Sequence, residues 1–368
     1  MQLLREGYHE RLFLLTDKQE GLIVRKQAKA ASSTLETEIT WLEELPPSLH
    51  HYFPRVLRSG KAKGNGQALF YDMPYFNHEW VLLSELILTQ ALYRPQALAL
   101  ISQVMQVMFC GIFPTSYPEE ESDYPERLIR LLERSTQHIS RLPPFSSFFH
   151  MEALVLNGVQ IWNLFPLLEM CKGEKLLKQR LRPATIRKVH GDLYPENVLV
   201  HTPSMYQAAP RVMLLDPIAA LDLSRGDFAM DAAKFVSWLS TELLALRLGL
   251  FSVQEERGAL PTFTFTFHRD NTQLLALSDG VLLREFIAML ETAGWARAVC
   301  DADPQWRQRV SFYEALYALS MVPLVSFPQS LARFLVGVRH LSNFVFAAND
   351  QQATRTCTAR SLRVETDD

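Results

Sequence analysis

The stretch His190-Gly191-Asp192-Leu193-Tyr194-Pro195-Glu196-Asn197-Val198-Leu199-Val200 puts an acid and a carboxamide on one short loop that runs into an apolar strand. A second apolar run, Val212-Met213-Leu214-Leu215, ends in another acid, Asp216. The two runs are short β-formers flanking Thr202-Pro203-Ser204 and Ala209-Pro210, a pattern that predicts a hairpin. Such a hairpin returns Asp216 to the side of Asn197, so two carboxylates and a neutral oxygen meet in one place.

A hydroxyl, a metal ion and a phosphate chain can all be held by that set, because phosphoryl transfer depends mainly on positioning and charge neutralisation. Asp192 would take the proton of an attacking hydroxyl, which needs only a carboxylate within hydrogen-bond reach. Asn197 offers a neutral oxygen to Mg²⁺ and Asp216 a charged one, with waters and nucleotide phosphates completing a hard-oxygen shell. An HGD triplet alone is a chance event, and loop aspartates commonly serve turns. The weight comes from a second block in the right order, Gly226-Asp227-Phe228-Ala229-Met230-Asp231-Ala232-Ala233.

Together these residues resemble the catalytic loop of the aminoglycoside phosphotransferase and choline kinase group, relatives of the protein kinases. The pattern H-G-D-x-x-x-x-N, then an apolar strand and an Asp, is matched at His190, Gly191, Asp192, Asn197 and Asp216. The second block is similar to the family's G-D-x-x-x-D-L-A helix start, where an acid ties the helix to the loop backbone. The resemblance is strong over residues 186–236 and weak elsewhere. It implies an α+β, two-lobed protein-kinase-like fold with a small antiparallel β-rich N-lobe and a larger, mainly helical C-lobe. It also implies Asp192 as catalytic base and Asn197 and Asp216 as Mg²⁺ ligands; the expected job of His190 is to hydrogen-bond and orient the loop. ATP would be the donor, with GTP left open, and a small-molecule hydroxyl the acceptor. No activation segment with A-P-E follows Asp216, which disfavours a protein kinase.

Such an enzyme needs a lysine on an N-terminal strand. Leu12–Thr16 and Gly21–Gln27 read as two strands joined by a turn around Asp17-Lys18-Gln19-Glu20. Alternation places Val24 and Lys26 on one face and Arg25 on the other. The resemblance makes Lys26 the phosphate-binding lysine, with Arg25 as the competitor. After Ser32-Ser33-Thr34 an amphipathic helix over Leu35–Leu45 buries Leu35, Ile39, Leu42 and Leu45 and stops at Pro46-Pro47. Glu38 beside that stripe is the expected partner of Lys26, with Glu36 second.

Gly7 marks the expected phosphate-covering loop, although G-x-G-x-x-G is missing and the six residues before Gly7 leave little chain for a preceding strand. Asn65-Gly66 is a hairpin turn signal between Val56-Leu57 and Ala68–Tyr71. Asp72-Met73-Pro74-Tyr75-Phe76 then looks like a hinge, where Asp72, Met73 and Tyr75 would meet the adenine. Helical patterns follow at 79–92, 95–112, 125–141, 150–170, 228–248, 280–293 and 306–322. The expected division is an N-lobe over 1–76 with a hinge at 72–77, a C-lobe over 77–349, and a polar, disordered tail over 350–368.

Composition narrows the classes further. A net charge of −3 provides no basic field for nucleic acid. No charged-then-apolar leader opens the sequence, and the uncharged run from Pro95 to Pro118 carries three glutamines and reads as a buried helix rather than a membrane span. Four scattered cysteines form no C-x-x-C pair, which fits reduced thiols in a cytoplasmic protein. Asp301-Ala302-Asp303 is read as a loop rather than a metal-binding D-x-D, and Glu119–Asp123 as a solvated surface run.

Two features depart from the family pattern. The hairpin tip from Thr202 to Pro210 is long, and Pro217 after the acid restricts Asp216 toward an extended conformation. Thr262-Phe263-Thr264-Phe265-Thr266-Phe267 alternates strictly, a strand signal amid helices. Its phenylalanines are expected in a core or hairpin; the sharper alternative has them overhang the acceptor site. The competing functional reading is a catalytically inactive kinase-fold protein that binds a nucleotide or partner. Retention of Lys26, Asp192, Asn197 and Asp216 speaks against it, since a dead site has no physical need for them.

Overall fold

Five antiparallel strands form the sheet that carries Lys26: β1 (Gln2–Glu6), β2 (Glu10–Asp17), β3 (Gly21–Ala28), β4 (Arg58–Lys61) and β5 (Leu69–Pro74), in the order β1-β2-β3-β5-β4. The protein, a computed structural model, is described over residues 2–7, 10–29, 33–61, 69–117, 123–207, 209–218, 221, 223–256 and 258–347. The Asn65-Gly66 turn, the run Glu119–Ser122 and the tail over 350–368 lie outside those residues. The fold class is mixed α+β, as expected. The chain divides into two compact units: Met1–Ser122 with Pro183–Phe251 and Phe267–Trp306, and Asp123–Arg182 with Ser252–Thr266 and Arg307–Asp368.

In the first unit the expected strands over 12–16 and 21–27 are β2 and β3, paired from Glu10↔Ala28 to Asp17↔Gly21. A strand does precede Gly7, contrary to expectation. The few residues there suffice because β2 satisfies their backbone, Gln2 lying opposite Leu14. Helix α1 (Ser33–Glu43) buries Leu35, Ile39 and Leu42, and also Glu38 and Trp41, each 1% exposed. Its buried surface therefore covers two adjacent stripes.

The expected hairpin, Val198–His201 with Val212–Leu214, is antiparallel and gains a third strand, Trp80–Leu82. The helix expected over 79–92 thus begins as a strand, because His201 and Val200 pair with Trp80 and Val81, and turns helical only at Leu83–Leu88. The pattern over 228–248 is two helices, Phe228–Leu239 and Glu242–Leu248, broken where Thr241 takes a left-handed φ of 71°. Helix Arg94–Gln106 continues as a π turn over Val107–Ile112. By length and composition Arg94–Ile112 could cross a membrane, but half of its apolar window is buried inside the protein.

In the second unit the helix expected over 150–170 starts only at Leu164. Ahead of it Ala153–Leu156 and Val159–Trp162 form a hairpin whose turn is Asn157-Gly158, both at positive φ. That dipeptide is the primed-turn signal, and it overrides the helical-looking spacing of the flanking apolar residues. Thr262–Phe267 pairs in parallel with Ala153–Leu156, and Phe251–Glu256 on its other side completes a four-stranded sheet. Phe263 and Phe265 are buried there, and the Phe263 ring meets Phe148 edge-on at 5.4 Å. The ribbon is thus core of its own unit. Helix Gln329–Phe346 is buried nearly all round, so it has no polar face for periodicity to reveal.

Candidate active site

Everything at this site belongs to the first unit. β3 alternates, so Val24 and Lys26 point inward and Arg25 outward, as expected. Lys26 Nζ lies 2.9 and 2.8 Å from the two oxygens of Glu38 and 3.0 Å from Asp216 Oδ1. Tyr71, opposite Lys26 on β5, donates its hydroxyl to Glu38 Oε1 at 2.8 Å. Glu38 rather than Glu36 is the partner. Arg25 instead holds Asp72 through two contacts of 2.7 and 3.0 Å and stacks over Phe70, while Arg58 reaches the same carboxylate.

Burial of this cluster sets its electrostatics. Burial pushes Glu38 up to about 7, against the pull of Lys26. Desolvation works against the Lys26 charge, but Asp216 and Glu38 outweigh it and raise its pKa. Burial likewise opposes the Asp216 charge, and Lys26 more than compensates, holding the carboxyl below the usual range. Asp216 therefore stays anionic beside a cation.

The loop after Val189 is held from behind. Asp231, fully buried, accepts from the backbone N–H of His190 at 2.9 Å and of Gly191 at 2.7 Å. The implied role of the helix acid is thus visible in its contacts. Asp227 caps the same helix by accepting from Ala229 N–H at 3.0 Å. Gly191 has φ +82°, and an added Cβ would sit 3.2 Å from Leu223 O and 3.3 Å from Ile218 Cα, so only glycine fits. His190 is fully buried against Trp41 and Phe53; its Nδ1 accepts from Asp192 N–H at 3.3 Å. Burial lowers its pKa to about 4, so it is neutral and acts on the loop's shape.

Asn197 Nδ2 donates to the Asp192 carbonyl at 2.8 Å and to Asp192 Oδ2 at 3.1 Å, which leaves the amide oxygen of Asn197 for a cation. Leu215 N–H donates to Asn197 O at 2.8 Å, so Asp216 comes directly after the residue paired with Asn197. Pro217 does not hold Asp216 extended; the φ of Asp216 is +54°, and Ile218 has +75°. The backbone turn there is anchored by Ile218 N–H donating to His190 O at 2.6 Å. Among the described residues no group of three His, Cys, Asp or Glu could hold a metal. The donor set of one amide oxygen and one carboxylate oxygen fits Mg²⁺, which keeps waters and phosphate oxygens in its shell, and not a caged transition metal.

A residue not expected from the sequence completes the arrangement. Lys234 Nζ lies 2.8 Å from Asp192 Oδ1, with the two side chains 12% and 13% exposed. It stands three residues after Asp231 on one helix face, and that spacing is the signal that would have found it. Nearby, Arg247 pairs with Glu196, and both Lys234 and Arg247 lie over the Tyr194 ring, at 5.4 and 6.0 Å.

The remaining expected residues lie on the sheet. Gly7 N–H donates to Glu10 O at 2.9 Å in the turn between β1 and β2, whose Tyr8 and His9 lie outside the described residues. Met73 is buried on β5 opposite Val24; Tyr75 is 39% exposed and its N–H donates to Leu22 O at 3.3 Å. The Asp72 carboxylate is occupied by Arg25 and Arg58, and its carbonyl accepts from Leu57 N–H at 2.8 Å. Asp303 accepts from Ala184 N–H at 3.0 Å, which gives that acid a backbone role. A cavity of about 790 Å³ beside the hairpin tip, lined by Gln103, Tyr206 and Pro210 among others, contains none of these charged residues.

No family model matches this chain. No curated protein matches it either. Among solved structures it is similar to choline kinase from Cryptosporidium parvum Iowa II, at 11% identity over 98% of this chain and 90% of that one, with a TM-score of 0.47. It is also similar to ethanolamine kinase from Plasmodium vivax, at 9% identity over 93% of this chain and 81% of that one, with a TM-score of 0.46. Likenesses so distant do not decide activity; the side-chain geometry of the site has to bear that weight.

Proposed function

We propose that this protein is a cytoplasmic, ATP- and Mg²⁺-dependent phosphotransferase that moves the γ-phosphate onto a hydroxyl of a small molecule such as an amino sugar, antibiotic, sugar or amino alcohol. The observation that carries the reading is the Lys26 ammonium shared between Glu38 and Asp216, in the same unit as Asp192 and Asn197. A buried lysine tied to two carboxylates is preorganised to meet phosphate oxygens, since its position costs nothing further at the moment of reaction. Asn197 and Asp216 would hold Mg²⁺, which when bound neutralises the phosphate charge. Asp192, fixed by Asn197 and by the loop that Asp231 supports, orients the acceptor hydroxyl and takes its proton.

The test is a pair of variants in the intact chain, assayed for ATP consumption with a panel of hydroxyl acceptors. Asp192→Ala should keep Mg²⁺-ATP binding and lose at least about a hundredfold in turnover. Asp216→Ala should weaken Mg²⁺-ATP binding itself. Wild-type turnover in both variants would end this assignment.

A further inference from the structure

Asp192 has two carboxylate oxygens: Oδ2 accepts from Asn197 Nδ2, whereas Oδ1 is ion-paired with Lys234 Nζ at 2.8 Å without an aligned hydrogen bond. An acceptor hydroxyl that gives its proton to Asp192 does so at Oδ1, and protonation there removes the negative charge against which the ammonium rests. The Lys234 side chain is 12% exposed, so little water is at hand to replace the lost partner. A desolvated ammonium separated from its carboxylate is strongly unfavourable unless another anionic oxygen receives it. The helix Phe228–Leu239 cannot swing away to relieve this, because Asp231 on the same face is bonded to two backbone amides of the catalytic loop. Lys234 carries a long, flexible stem, and its ammonium can shift where its helix cannot.

We propose that Lys234 is a further catalytic residue of this site, an ammonium that rests on Asp192 and passes to an anionic oxygen when the acceptor hydroxyl arrives there. The inference builds on the phosphotransferase reading. In the transfer the hydroxyl oxygen forms a bond to the γ-phosphorus while the bond from that phosphorus to the β,γ-bridging oxygen breaks, its electron pair leaving with ADP. The hydroxyl proton goes to Asp192 Oδ1, and Lys234 keeps its own protons throughout. The receiving oxygen has two sources, the phosphoryl group in flight and an acidic group on the acceptor itself. Both supply the same chemistry.

The experiment uses the full chain; its binding arm needs no acceptor, and its turnover arm uses a panel of hydroxyl acceptors with and without a carboxylate or phosphate. Binding of Mg²⁺-ADP is measured by calorimetry with and without aluminium fluoride, an anionic stand-in for the phosphoryl in flight, for wild type, Lys234→Ala and Lys234→Arg. If the phosphoryl receives the ammonium, wild type gains affinity on adding the fluoride. Lys234→Ala then keeps ADP affinity but loses that gain about tenfold, Lys234→Arg retains most of it, and methylammonium restores it to the alanine variant. If the acceptor supplies the anion, the fluoride gain survives in Lys234→Ala. In that case methylammonium-rescuable loss appears only in turnover of acceptors bearing a carboxylate or phosphate. Alanine variants that keep both the fluoride gain and full turnover, or that lose them with no rescue by methylammonium or by arginine, would overturn the proposal. Failure of wild type to bind Mg²⁺-ADP at all would instead end the phosphotransferase reading.

Discussion

Lys26 Nζ lies 3.0 Å from Asp216 Oδ1, although the two residues are 190 positions apart in the chain. The contact joins β3 to the end of the Val198–Leu214 hairpin, and Glu38 from α1 also holds the same ammonium. Lys26→Met should lower Mg²⁺-ATP affinity by at least about tenfold and destabilise the fold by roughly 3 kcal/mol, because it strands a buried carboxylate. The double variant Lys26→Met with Glu38→Gln should recover most of the stability and none of the nucleotide affinity. Equilibrium denaturation alongside calorimetric titration separates the two effects.

Gly191→Ala places a methyl group against Leu223 O and Ile218 Cα at a φ of +82°. The expected loss is about 1–3 kcal/mol of stability, with turnover falling more than nucleotide affinity because Asp192 is the next residue. Urea denaturation and steady-state kinetics on the same preparation decide it. Equal losses in turnover and affinity would contradict this placement of the strain.

Removing the Asp231 carboxylate leaves the amides of His190 and Gly191 without their acceptor. Each orphaned buried amide costs about 1–3 kcal/mol, so Asp231→Ala should be among the more destabilising single changes in this unit. Asp231→Asn, which keeps one acceptor oxygen, should fall between. Thermal unfolding of the three proteins orders them.

His190 provides a pH test. Burial lowers its folded pKa to about 4, below the ordinary value of 6.5, so the unfolded chain binds this proton first. Its contribution to stability is complete above pH 6.5 and is lost as the pH falls toward 4, by up to about 3 kcal/mol. Asp231, raised to about 7 by burial, works in the opposite sense over the same range. The informative quantity is therefore the difference between wild type and His190→Asn: the variant should lose less stability between pH 6.5 and 4. Parallel curves for the two proteins would show that His190 is not held neutral.

The parts of the site that the sequence made legible are those set by local chemistry. Asp192, Asn197 and Asp216 are readable from one loop and one hairpin, and Lys26 from strand alternation. Lys234 was hidden because its meaning depends on which face of its helix meets the loop, a tertiary fact that Asp231 carries only once its partners are seen. Asp216 misled for a related reason. The local rule for a residue before proline favours an extended backbone, and the bond from Ile218 N–H to His190 O holds a left-handed one instead. In the fold, the Asn157-Gly158 hairpin was missed because the spacing of its apolar residues looks helical, and helix Gln329–Phe346 was masked by burial on nearly every side.

Trp41 ties the helix that carries Glu38 to the rest of the site. Its indole N–H donates to Val189 O at 2.9 Å, and Lys188 Nζ donates to its carbonyl at 3.2 Å, so α1 is pinned to the segment that leads into the His190–Asn197 loop. The helix bearing Glu38 and the loop bearing Asp192 therefore travel as one body. Any rearrangement that swings that helix outward would have to break a buried indole bond first.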